Sequence, residues 1–143
     1  MKFFLRPCNL FHLLCALLIA LPAIPAVPAQ PGPLDGKVFV ADAGEKGKPA
    51  DEKDDVITFA NGSFHSSICD QWGYGKGTYR ATESGGEISF DVETVSEKDG
   101  RLKWTGRVKG DSIEGTFVHF RKPGFFRPNP DPVEHWFLGR AKR

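Results

Sequence analysis

The sequence predicts an all-β domain, an antiparallel up-and-down barrel of about eight strands, and three observations carry that prediction. Apolar and polar residues alternate with period two over most of the chain beyond Gly36, while helical periodicity is scarce. Tight-turn dipeptides, Asn61-Gly62, Ser84-Gly85 and Gly110-Asp111, sit between alternating runs. The other connections are long and fall in turn with the tight ones, so an up-and-down order gathers every long loop at one end.

The chain opens with Lys2 and Arg6, an apolar stretch from Leu10 to Leu21, and Pro22, Pro25 and Pro28 before Ala29. A basic start, a short apolar centre and the Val27-Pro28-Ala29 end describe a secretory signal peptide over residues 1–29. The apolar run is too short and too proline-terminated for a membrane span. Cys15 does not fit a lipid-attachment site, because bulky Leu14 stands where a small residue is required. The mature domain is then residues 30–143, secreted or periplasmic. Removing 29 of the 143 residues leaves 114 and, with Lys2 and Arg6 gone, takes the net charge from +1 to −1. That length suits one domain with a modest core. That charge excludes a protein that holds nucleic acid by bulk electrostatics. Only Cys69 remains of three cysteines, so the mature domain has no internal disulfide.

Strands are expected at Lys37–Ala41, Val56–Ala60, Ser63–Ile68, Thr78–Thr82, Glu87–Thr94, Arg101–Lys109, Ser112–Phe120 and Val133–Arg140. The alternation is plainest where Ile88, Phe90, Val92 and Thr94 share one face and Glu87, Ser89, Asp91 and Glu93 the other. The next run sets Leu102, Trp104, Gly106 and Val108 against Arg101, Lys103, Thr105, Arg107 and Lys109. Two-residue turns would pair Phe59 with Phe64, Val108 with Ile113, Ala81 with Ile88 and Tyr79 with Phe90, apolar with apolar throughout. Closure into a barrel removes the sheet edges. Phe59, Phe64, Tyr79, Phe90, Trp104 and Phe117 are expected inside, with Gly106 and Gly115 either leaving a cavity or making room for the rings.

The long connections, Asp42–Asp55, Cys69–Gly77, Val95–Gly100 and Arg121–Pro132, make one end an elaborated mouth. The first reads as a solvated loop. In the second, Trp72 and Tyr74 stand among glycines and either stack on a ligand or fold inward as a plug. Alternation points Cys69 outward, and Asp70 beside it opposes thiolate formation. His119 faces inward near the mouth and His65 outward. His135 begins the last strand, whose buried side is either His135 and Phe137 or Trp136 and Leu138. Phe125 and Phe126, among Arg121, Lys122 and Arg127, suit either contact with an anionic membrane or protein partner, or a proline-stiffened lid. Asp91, Glu93 and Glu114 face solvent, and the inward polar residues Ser66, Thr94 and His119 have no evident acidic partner. There is no Gly-x-Ser-x-Gly, His-Glu-x-x-His, phosphate-cradling glycine loop or Cys-x-x-Cys.

Four segments carry a resemblance: Leu34-Asp35-Gly36-Lys37, Phe64-His65-Ser66-Ser67-Ile68-Cys69-Asp70, Trp104 to Thr116, and Trp136-Phe137-Leu138-Gly139. Together they resemble an uncharacterised family of small secreted bacterial proteins with a lipocalin- or avidin-like, calycin-type barrel. The resemblance implies a small apolar or amphipathic ligand. The chain departs from lipocalins in reading Gly36-Lys37-Val38 in place of Gly-x-Trp, in having no paired cysteines, and in lacking length for a terminal helix. The expectation is therefore a secreted, non-enzymatic barrel without cofactor or metal, binding its ligand through Trp72, Tyr74, Trp104, His119, Phe125 and Phe126. Its alternative is a cell-envelope interaction module with a packed core, docking another protein or forming a Cys69-linked homodimer.

Overall fold

The computed structural model describes residues 31–143; the expected signal peptide lies outside the described residues. The fold is a closed, eight-stranded, antiparallel up-and-down barrel in the order β1 to β8. Its strands are β1 (Val38–Glu45), β2 (Glu52–Ala60), β3 (Ser63–Ser66), β4 (Gly77–Ser84), β5 (Glu87–Ser96), β6 (Gly100–Lys109), β7 (Ser112–Arg121) and β8 (Val133–Ala141). Pairing of β1 with β8 closes the ring. Two of the three expected registers are observed, Phe59 with Phe64 and Val108 with Ile113. The third turn is Gly85-Gly86, at φ 59° and 77°, instead of Ser84-Gly85. Two successive positive-φ positions favour two glycines over a serine and a glycine. The register therefore moves by two residues, pairing Ala81 with Phe90 and Tyr79 with Val92, and every side chain keeps its face.

The lower barrel is solid. Phe59, fully buried, meets Phe39, Phe64, Tyr79 and Phe90 edge to face at centroid distances of 5.1–6.3 Å. Such pairs contribute about 0.5–1.5 kcal/mol each beyond the apolar area they bury. Trp104 stands above them against Phe64, Phe117 and Phe137, and its indole N–H donates to Thr94 Oγ1 at 3.2 Å. Gly106 and Gly115 make room for these rings and leave no void. A Cβ on Gly106 would lie 2.7–2.8 Å from the Phe90 and Phe137 rings, and one on Gly115 2.6 Å from Phe137. The tight-turn end is capped by the segment before β1, which inserts fully buried Leu34. Asp35 fixes that cap by accepting from Gly62 N, Gly32 N and the Tyr79 hydroxyl.

The mouth departs more from expectation. The presumed solvated loop Asp42–Asp55 is largely strand, because β1 runs to Glu45 and β2 begins at Glu52. A bulge opposite Ala41–Ala43, with Asp54 at φ 57°, breaks the alternation just beyond Asp55, which keeps the inward phase of Ile57 and Phe59 at 2% exposure. Expected strand Ser63–Ile68 ends at Ser66, where a short 3-10 helix, Ser67–Trp72, takes over. Asp55 is the reason: its carboxylate accepts from Ser66 Oγ, Ser67 Oγ and Ile68 N at 2.7–3.1 Å. Those bonds curl the chain across the mouth. They also bury Cys69, which was expected to point outward and is instead 7% exposed.

Candidate functional site

Above the Trp104 layer the barrel opens into a cavity of about 370 Å³. Its apolar wall comes from Ile68 in the 3-10 helix, Leu102 on β6 and Phe117 on β7. Leu102 and Phe117 face in by plain alternation with Trp104 and Ile113. Ile68 shares the inward parity of Phe64 and Ser66 and reaches the wall from the 3-10 helix that follows β3. Asp51, Glu52, Trp72 and Arg121 complete the wall on its charged and aromatic sides.

The polar corner is a hydrogen-bonded triad. The Tyr74 hydroxyl donates to Asp99 Oδ2 at 3.0 Å and stands 3.1 Å from His119 Nε2. That nitrogen also lies 3.2 Å from Asp99 Oδ2 and 3.3 Å from the Asp99 carbonyl oxygen. A carbonyl only accepts, so the network places a hydrogen on Nε2. Burial pushes the Tyr74 hydroxyl well above the ordinary tyrosine range, and the Asp99 carboxylate pushes it the same way. Tyr74 is therefore a fixed neutral donor at any physiological pH.

His135 occupies the opposite side of the cavity. Its ring stacks flat on Phe117 at 4.7 Å, and its buried Nδ1 has no hydrogen-bond partner among the described residues. Burial, aided by nearby His119, holds its pKa below the ordinary 6.5. The open question of the last strand is thus answered: His135 and Phe137 face in, while Trp136 and Leu138 face out. Cys69 also lines the cavity. Burial, with Asp55 and Asp70 adding to it, pushes the thiol up to about 12, so it is no nucleophile near neutrality. Ser66 hydrogen-bonds its sulfur at 3.3 Å.

Three of the six residues singled out in the sequence, Trp72, Tyr74 and His119, meet at this cavity. Trp72 and Tyr74 divide the two roles weighed for them: Trp72 stays 54% exposed, and Tyr74 folds in to 4%. Trp104 is corrected from ligand wall to packed core, at 1% exposure beneath the cavity. Phe125 and Phe126 neither line the cavity nor form a lid; they project from the β7–β8 loop at 93% and 95% exposure. His65 faces outward as expected and pairs with Asp70 at 2.7 Å.

Two inward polar residues lacking evident partners have carboxylates after all, Asp55 for Ser66 and Asp99 for His119. Extending the β6 and β7 alternation towards the mouth would have found Leu102 and Arg121. Extending the β2 alternation from Phe59 and Ile57 would have placed Asp55 inward, whereas nothing in the pattern marks Asp99. Among the described residues no group of three or more His, Cys, Asp and Glu is arranged to hold a metal ion. The site can accept and donate hydrogen bonds at one corner and bury apolar surface elsewhere. No family model, curated protein or solved structure matches the chain.

Proposed function

We propose that the chain is a secreted, non-enzymatic β-barrel that binds a small apolar or amphipathic molecule in the mouth cavity. The observation that carries this reading is the mainly apolar cavity above a solid core, with the polar Tyr74–His119–Asp99 triad at one side. Its volume of about 370 Å³ lies towards the small end of ligand sites, which span about 300–1,000 Å³. A single ring system or a short chain with one polar end fits that space. The Trp72 indole at the rim supplies a stacking face.

The test uses 1-anilinonaphthalene-8-sulfonate, whose fluorescence rises on entering an apolar site. Saturable one-to-one binding is expected for the barrel. Ile68→Trp, which fills the cavity from the rim of the 3-10 helix, is expected to weaken it about tenfold, the loss of roughly one buried side chain's worth of contact. Equal binding by both proteins, or none by either, rejects the cavity as the site.

The alternative reading, an envelope interaction module, draws on the solid lower core and the exposed Phe125-Phe126 pair. It predicts no saturable probe binding. Its disulfide-linked form would require the 3-10 helix to open, because Cys69 is buried on the inner side of that helix.

A further inference from the structure

We propose that the β7–β8 loop is a peripheral membrane anchor, whose Phe125-Phe126 tip enters the headgroup region of an anionic bilayer and holds the mouth against the lipid surface.

The tip is shaped for that environment. Phe125 and Phe126 are the most exposed large apolar side chains among the described residues, and they pack edge to face on each other at 5.1 Å. Gly124 and Arg127 bridge beneath them with reciprocal backbone hydrogen bonds of 3.0 and 3.1 Å. Pro123 and Pro128 on either side carry no N–H. The turn therefore takes few unpaired backbone donors towards the lipid, where each would be costly. Lys122 anchors the loop base, its backbone N–H on the Asp99 carbonyl and its ammonium on the Glu97 carbonyl at 2.6 Å.

Charge selects the surface. Arg121, Lys122 and Arg127 flank the rings, and the first acidic residue beyond them is Asp131. Arg127 forms no ion pair among the described residues, which leaves it for lipid phosphates. Two rings on a convex turn also offer far less than the ~1,000 Å² that a stable protein interface buries. A bilayer asks for no matching concave partner. Trp72 and Val95, 54% and 58% exposed at the same end, enlarge the apolar rim. Insertion is shallow and reversible, as for any single small anchor.

The experiment is vesicle flotation of Pro31–Arg143, which holds all eight strands of the closed barrel. Vesicles are phosphatidylcholine alone or mixed with phosphatidylglycerol. Wild-type protein is expected to float with the mixed vesicles and less with the neutral ones. Phe125→Ser/Phe126→Ser is expected to lose binding by about tenfold per ring, without loss of thermal stability, because these rings touch only each other. Arg127→Gln, which leaves the Lys122 anchor in place, is expected to weaken the preference for the anionic lipid. A Phe126→Trp variant should be quenched by lipids brominated near the headgroup. Wild-type protein that floats with neither vesicle, or a double-serine variant that floats as well as wild type, overturns the proposal and returns the tip to protein contact.

Discussion

A buried ring nitrogen without a partner is an expensive thing to keep, and His135 keeps its Nδ1 in that state. Because burial lowers its pKa, the unfolded chain takes up the proton before the folded chain does. Stability is then fully present above the ordinary value of 6.5 and is lost as the pH falls from there through the lower folded value. His135→Phe retains the flat stack on Phe117 and removes the orphan nitrogen. It is expected to raise stability near neutrality by about 1 kcal/mol and to flatten the loss expected as the pH falls below 6.5. Urea unfolding of both proteins across that range checks it; parallel curves would assign the acid sensitivity to another group. Asp35 works at the other end of the barrel and in the opposite direction. Burial draws its carboxyl up, but Gly62, Tyr79 and Gly32 donate to it and the balance lies below the ordinary 3.8. Its contribution is present near neutrality and is lost only as the pH falls through the strongly acidic range.

At the scale of elements, the strands are legible in the sequence and the mouth is only half so, for a physical reason. Period-two alternation survives wherever a strand has one wet face and one dry face, as β5 and β6 do along their length. It fails where the backbone changes conformation. The 3-10 helix at Ser67 shifts the inward phase, so Cys69 reaches the interior against parity, whereas the bulge at Asp54 lies on the mouth side of Asp55, which keeps the phase of Ile57 and Phe59. Asp99 is invisible for another reason: it sits in a connection of three residues and is recruited by Tyr74, a partner 25 positions away. Tyr74, Trp72 and His119 could be named because rings between glycines and an inward histidine are local signals.

The two glycines inside β6 and β7 show the same element logic as an energy. Gly115 faces Gly106 directly across the ladder, with the Phe137 ring filling the space that both leave. A Cβ on Gly115 would meet the Thr105 carbonyl oxygen at 2.2 Å and Gly106 Cα at 2.6 Å, neither of which can swing aside. Gly115→Ala is therefore expected to cost about 1–3 kcal/mol, read as a lower denaturation midpoint with an unchanged slope. A neutral result would mean that the ladder spreads there more readily than the ring packing implies.

For the molecule as a whole, the two ends divide the labour. Tight turns, Leu34 and the aromatic layers make a rigid base, and the four longer connections carry the cavity and the exposed phenylalanines. Any traffic of a small molecule must use the mouth, since the base is sealed. The ring is not equally strong all the way round. The β5–β6 and β6–β7 ladders run to ten residue pairs each, whereas β3 and β4 share two, Ser63 with Thr78 and Phe64 with Gly77. Backbone amides of β3 and β4 are expected to exchange with deuterium well before those of β5 to β7 in mass-spectrometric mapping. Uniform protection around the ring would show that side-chain packing, not ladder length, governs local opening.

That short stitch also leaves Arg80–Ser84 with no strand on its β3 side, a stretch of free edge on a sheet that is otherwise sewn shut. Free edges recruit other chains and seed aggregates. Here the exposed stretch carries Arg80, tied across to Asp91 at 2.8 Å, then Glu83, and ends at a diglycine turn. Fixed charge and a twisted end make this stretch a poor template for a second copy at the very place where the barrel is least completely closed.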